Sequence, residues 1–275
     1  MSATSVTRTA APPANGTASG AGGGFRGAVA AEWTKLWSVR ATWWTLLAGV
    51  LVMAATAAQL AIYAQKGNTD DDPTNDAGIV AVGSVVVDAL ELAQYAVLAL
   101  GLLAITSEYT TGTIRSTLAC TPSRGRLLLA KATVAGGVTF GFGLLLGGVG
   151  AAAALPLLGE WGRVPAGDTA LDLLATAAYL ALVGVFTLGL GAALRSAVLT
   201  LTTLFAVLYI VPLSLAEPDI AVLTRIADAF PGVAGRHFLA GDTEPYPPVV
   251  GLLLLVAWTV AALALGRYAL RRRDA

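Results

Sequence analysis

Few residues in this chain have the types and spacing that chemistry needs. Asp88 and Glu91 stand one helical turn apart in a run that is otherwise largely apolar. Carboxylates so placed can share a proton, hold a cation or mark a polar boundary. His237 is the only histidine and Cys120 the only cysteine. No metal-ligating cluster or internal disulfide can be assembled from them, and nucleophilic catalysis has little material. The phosphate loop Gly-x-x-x-x-Gly-Lys-Ser/Thr, the zinc motif His-Glu-x-x-His and the Gly-x-Ser-x-Gly elbow do not occur. The expectation is a chain that is no enzyme and binds no cofactor or metal of its own.

The elements around these residues are set by composition. Of 275 residues 56% are hydrophobic and 12% charged, with mean hydropathy +0.73. A soluble domain carries about 25% charged residues, so too few remain here to coat a globular surface. The apolar excess falls into six runs, about residues Trp43–Ala64, Val85–Thr106, Ala132–Leu155, Leu173–Ala193, Ala197–Ala216 and Val249–Leu270. Each matches the roughly 20 residues that cross a bilayer as helix. Alternating polar-in strands are absent, so a barrel is excluded. The fold class expected is an all-α polytopic membrane protein of six transmembrane helices preceded by an interfacial amphipathic helix. A net charge of zero points to no polyanionic partner such as nucleic acid.

Of the 17 basic residues, all but Lys66, Arg163, Arg225 and Arg236 fall on one side of this layout. The positive-inside rule then makes both termini cytoplasmic in a multi-pass plasma-membrane protein. In that frame Asp88 and Glu91 lie toward the outer end of the second span. A carboxylate at the bilayer centre costs on the order of 3 kcal/mol. The outer interface or a wet cleft is thus the favoured location, and the pair is a candidate substrate path.

The segments between spans divide the chain further. Residues 1–27 are rich in Ala, Thr, Pro and Gly, lack the apolar core of a signal peptide, and read as a disordered cytoplasmic tail. Residues 28–275 form the six-helix transmembrane domain. Within it, residues 28–42 place Val29, Trp33, Leu36 and Trp37 on one helical face, with Glu32, Lys35 and Ser38 elsewhere. That pattern suits a helix lying in the headgroup layer, and an ordinary aromatic belt is the plainer alternative. Residues 107–131 form the longest cytoplasmic connection, in which Ile114 and Leu118 share a face and Thr121-Pro-Ser-Arg reads as a stop. A short surface helix there suits partner docking; a solvated basic loop is the alternative. Gly137-x-x-x-Gly141 and Gly143-x-x-x-Gly147 in the third span allow close helix packing, within the chain or between subunits. Leu194-Arg195-Ser196 reads as a tight turn. Residues 217–248 form a long outer, re-entrant-like segment with Ile220, Leu223, Ile226 and Ala227 at helical spacing.

Four stretches resemble one family. Glu32-Trp-Thr-Lys-Leu-x-Ser-Val-Arg-x-Thr-Trp-Trp44 looks like the opening of actinobacterial permeases of the ATP-binding-cassette type-2 family. Glu108-Tyr-x-Thr-Gly-x-Ile-Arg115, continuing through Pro122, Arg124 and Lys131, resembles their first cytoplasmic loop. Leu190-Gly-Ala-Ala-Leu-Arg-Ser196 is similar to their turn between the fourth and fifth spans, and Phe230-Pro-Gly-Val-Ala-Gly-Arg236 to their outer segment. The resemblance implies a dimer of permease subunits, the same or related, embedded in membrane lipid. It also implies a separate ATPase subunit that carries ATP and Mg and docks on the loop and N-terminal helix. Carried over, the ATPase-coupling candidates are Glu108, Tyr109, Gly112 and Arg115, with Glu32 and Lys35 nearby. The acidic pair Asp88 and Glu91 departs from the family's pattern. A secondary carrier driven through those carboxylates, and a non-transporting scaffold or immunity protein, are the competing expectations.

Overall fold

The computed structural model describes residues 24–70, 72–110, 124–164, 168–218, 220–241 and 243–272, apart from the side chains of residues 73, 106–110, 168 and 169. Most of the tail, the loop centre with Gly112, Arg115 and Cys120, and the stop at Thr121-Pro-Ser lie outside the described residues.

Six long apolar helical segments are present, one for each hydropathic run. Helix α1 (Gly24–Ser38) is followed by the spans α2 (Arg40–Gly67), α3 (Val82–Thr110), α4 (Arg124–Leu158) and α5 (Asp168–Leu194). The fifth apolar run is not one regular helix. It comprises α6 (Ala197–Phe205), a π-helical segment at Ala206–Ile210, and α7 (Val211–Ala216). Two short helices, α8 (Ala221–Asp228) and α9 (Pro231–Ala240), precede the last span, α10 (Pro248–Arg272). They lie in the outer segment 217–248, where Ile220, Leu223, Ile226 and Ala227 stand at helical spacing, and Gly241 ends α9 at φ 74 with its N–H on the His237 carbonyl, a left-handed cap that glycine adopts without a Cβ clash. The chain is thus an all-α polytopic protein with six helices long and apolar enough to span a membrane.

The π segment has a local cause. Pro212 has no N–H to return to the Leu208 carbonyl four residues earlier, and its ring would crowd that carbonyl in a regular helix. One wide turn relieves the conflict. Gly232 of α9 packs there so closely that a Cβ on it would stand 2.1 Å from the Leu208 oxygen.

Helices α3 and α5 form the centre. Their spanning windows are 61% and 56% buried, against 22% for α2, 22% for the α6–α7 run and 28% for α10. Helix α5 packs on α3, α4 and α10, and its Leu180, Val183 and Phe186 join Leu90, Val97 and Leu146 in the core. Apolar helices gain little from hiding apolar surface from lipid, so close backbone approach carries much of the packing. Of the two glycine pairs in the third span, Gly143 and Gly147 do this: a Cβ at 143 would meet the Ala177 Cα of α5 at 2.7 Å, and one at 147 would meet Leu173 at 2.6 Å. Gly137 and Gly141 face open space.

Basic residues gather at one end of the bundle. Arg124 at the start of α4 donates to the Leu270 carbonyl near the end of α10 (2.5 Å), and Arg195 donates to the Ala269 carbonyl (3.3 Å). Arg195 occupies the turn between α5 and α6 at φ 57, and Ser196 caps α6 by accepting from the Leu199 N–H. At the other, acidic end Val80–Ala81 (β1) pairs in parallel with Gly162–Arg163 (β2), in register Val80 with Gly162. Asp72 caps the short turn Pro73–Asn75 there. Its bonds from the Thr74 hydroxyl and N–H hold its carboxyl below the usual range.

Candidate functional site

Among the described residues, two groups of polar side chains are built into the bundle, one at each end.

At the acidic end a cavity of about 330 Å³ lies between α3, α5, the π segment and helices α7 to α9. This is within the range of small-molecule sites. One face of α3 supplies Asp88, Glu91 and Gln94 at one-turn intervals. Arg236 of α9 reaches across to both carboxylates, with Nη1 2.5 Å from Glu91 Oε1 and Nη2 3.5 Å from Asp88 Oδ1. The carboxylates and the guanidinium are all substantially exposed, so the pairs form a mouth rather than a buried core.

Below the mouth Gln94 and Tyr179 are buried, Tyr209 is half-buried, and all three are hydrogen-bonded. The Tyr179 hydroxyl of α5 donates to Gln94 Oε1 (2.6 Å). Gln94 Nε2 donates to the Tyr209 hydroxyl and to the Glu91 carbonyl (3.1 Å), and Tyr209 donates to the same carbonyl (3.4 Å). The π segment places Tyr209 here, stacked on Tyr95 at 6.1 Å and tilted against Phe205 at 5.8 Å. Leu90, Leu208, Pro212, Leu213 and Leu239 give the remaining wall its apolar character. Asp228 of α8 also lines it, and its carbonyl accepts from Tyr246. Burial first, and then the Asp228 charge, push the Tyr246 phenol up to about 12, so it remains a neutral donor at physiological pH.

A buried amide held by one buried and one half-buried phenol is costly to break, because each orphaned group keeps its desolvation penalty. Gln94→Leu should lower unfolding stability by about 1–3 kcal/mol, and Tyr179→Phe by less, since it orphans only one acceptor. Thermal unfolding in detergent reads both, and equal losses would contradict this network.

The second group sits at the basic end. Helix α1 turns Glu32 inward, with Val29 and Leu36 beside it, while the next residue, Trp33, is half exposed. Glu32 Oε2 lies 2.6 Å from Nζ of Lys131 on α4, and both residues are buried. Its other oxygen lies 3.1 Å from the exposed Lys35 ammonium, and Lys131 also donates to the Ala104 carbonyl of α3 (3.2 Å). Trp33, Trp37 and Trp43 form a chain of ring contacts on the outer side of the α1–α2 corner, at 5.6 and 4.9 Å.

The structure therefore brings Asp88 and Glu91 together with residues that sequence reasoning did not assign to a site: Gln94, Tyr179, Tyr209 and, in that role, Arg236. Gln94 carried a signal, being a polar side chain one turn beyond Glu91 on an apolar helix. Tyr179 and Tyr209 carried none, since tyrosine in a span reads equally as packing. Of the coupling candidates, Glu32 and Lys35 meet at the α1–α4 contact. Glu108 and Tyr109 lie in the last turns of α3, and Gly112 and Arg115 lie outside the described residues. Among the described residues no group of three or more His, Cys, Asp or Glu side chains could hold a metal ion.

Comparison with known proteins finds no family model that matches the chain and no match among curated proteins.

Proposed function

We propose that this chain is the membrane-spanning permease subunit of an ATP-binding-cassette exporter of the type-2 kind. In this reading it moves a hydrophobic or amphipathic substrate across the plasma membrane, with both termini in the cytoplasm. A separate ATPase subunit supplies ATP hydrolysis with Mg, and a second permease subunit completes the assembly. Six spans are compatible with a membrane transport protein, and the four ordered sequence resemblances point to the family.

The observation that carries the reading furthest is the Glu32–Lys131 pair. It joins the N-terminal helix to Lys131, the last residue of the loop segment 107–131, and these are the two stretches to which the resemblance assigns the ATPase contact. A push on that loop would reach α1 and α4 together. The ATPase can shift the bundle between states only by gripping the loop differently with and without nucleotide.

The test is co-purification with the candidate ATPase, followed by its hydrolysis rate in proteoliposomes. Glu108→Gln and Arg115→Ala should lower transport-coupled hydrolysis several-fold while insertion is unchanged. Normal coupling in both variants would remove these residues from the contact. The carboxylates at the cavity mouth favour one second reading, a proton-driven carrier. It predicts transport that an uncoupler abolishes and that needs no ATPase.

A further inference from the structure

We infer that the cavity between α3, the π segment and α9 is a binding site for a lipophilic cation, with Arg236 as the tethered cation that the ligand displaces. The inference rests on reading this cavity as part of a transport path, and it adds the charge class of the cargo.

Three features of the cavity select that class. The first is charge. Glu91 and Asp228 line the wall and Asp88 reaches the same mouth, while among the described residues Arg236 is the one basic side chain lining the cavity. With Arg236 in place the carboxylates are partly neutralised; with Arg236 swung out, two carboxylates one turn apart face the opening. The second is the weakness of the internal pair. Arg236 is 61% exposed and Glu91 44%, and pairs this exposed contribute little to stability. A ligand cation with apolar surface to bury can therefore replace the guanidinium. The third is the wall beneath. Tyr209 lines it with its ring packed against Tyr95 and Phe205, which adds aromatic area for an apolar ligand surface. Leucines and Pro212 line the rest. Leu213 lines the cavity and is also 66% exposed, so an amphiphile could enter sideways past α7. An anion would meet the carboxylates with only Arg236 to hold it.

The experiment uses the full chain purified into lipid nanodiscs, with protein-free nanodiscs as the baseline. Ethidium is the lipophilic cation and anilinonaphthalenesulfonate the anionic comparison, each titrated by fluorescence. Saturable ethidium binding is expected, with tighter affinity than for the anion. The Asp88→Asn/Glu91→Gln variant should weaken ethidium about tenfold and leave the anion unchanged. Arg236→Ala should tighten ethidium several-fold, because the internal competitor is gone. All three positions are exposed, and size-exclusion elution confirms folding. Should the double variant misfold, Glu91→Gln alone must still weaken ethidium. Equal affinity for the two dyes, no loss in the carboxylate variant, or weaker ethidium binding in Arg236→Ala would each overturn the proposal. Ethidium binding with the expected variant pattern, but with no ATPase-dependent efflux, would sink the exporter reading and leave this site standing. ATPase-dependent efflux of another cargo, with no ethidium binding, would do the reverse.

Discussion

Glu32→Gln is expected to destabilise the protein by about 3–5 kcal/mol. The change keeps the shape of the side chain and removes its charge. Lys131, 3% exposed, would then hold its ammonium inside the bundle without its 2.6 Å counter-ion. Removing one member of a buried pair leaves the partner's desolvation cost uncompensated, which exceeds what the intact pair gains over an apolar replacement. Lys131→Met should cost less, because Glu32 keeps Lys35 at 3.1 Å and can turn toward it. The double variant Glu32→Leu/Lys131→Met should return to near the parent stability. Unfolding temperature in detergent reads the global effect. Trypsin cleavage after Lys35 reads the release of α1, which should accelerate in Glu32→Gln. Additive losses in the double variant would mean that the two residues act independently and that α1 is held by something else.

Gly189→Val should be the most damaging change within the spans. A Cβ at 189 would meet the Ala262 carbonyl carbon at 2.7 Å and the Leu263 nitrogen at 2.8 Å, all backbone atoms of α10 that cannot rotate away. Gly266 faces back, its Cβ position 2.7 Å from the Gly189 oxygen. Relief requires the two helices to separate, and overpacking of this kind costs about 1–3 kcal/mol or more. Gly141→Val provides the control, since nothing lies within 4 Å of that position. It should leave the unfolding temperature of the detergent-solubilised chain unchanged. Equal losses at 189 and 141 would show that the α5–α10 approach is not special.

The six spans were legible because hydropathy acts on windows as long as the elements themselves, and lipid leaves the backbone no alternative to helix. Details that depend on one partner far away were not. Local periodicity put Trp33 on the membrane-facing side of α1 and Glu32 away from it, as for any helix at a water surface. The structure turns Glu32 inward because Lys131, 99 residues on, waits there. No pattern within α1 encodes that partner. The fifth apolar run read as one span like the others; the wide turn before Pro212, which brings Tyr209 to Gln94, depends on α3 and on Gly232. Asp88 and Glu91 could be found as acids in an apolar run. Their guanidinium partner comes from a short helix near the far end of the chain, and charge counting alone could not pair them.

The two-residue bridge between Val80 and Gly162 has a consequence for the order of assembly. A parallel pair needs a long crossover between its strands, here the whole of α3 and α4. It cannot close until the ribosome has delivered the third span. By then the Glu32–Lys131 contact at the opposite end is also available. Chains are made at about 5–20 residues per second, and early segments fold first. The nascent polypeptide can thus be stapled at both edges before α5 emerges, and the later helices would dock onto a scaffold already closed.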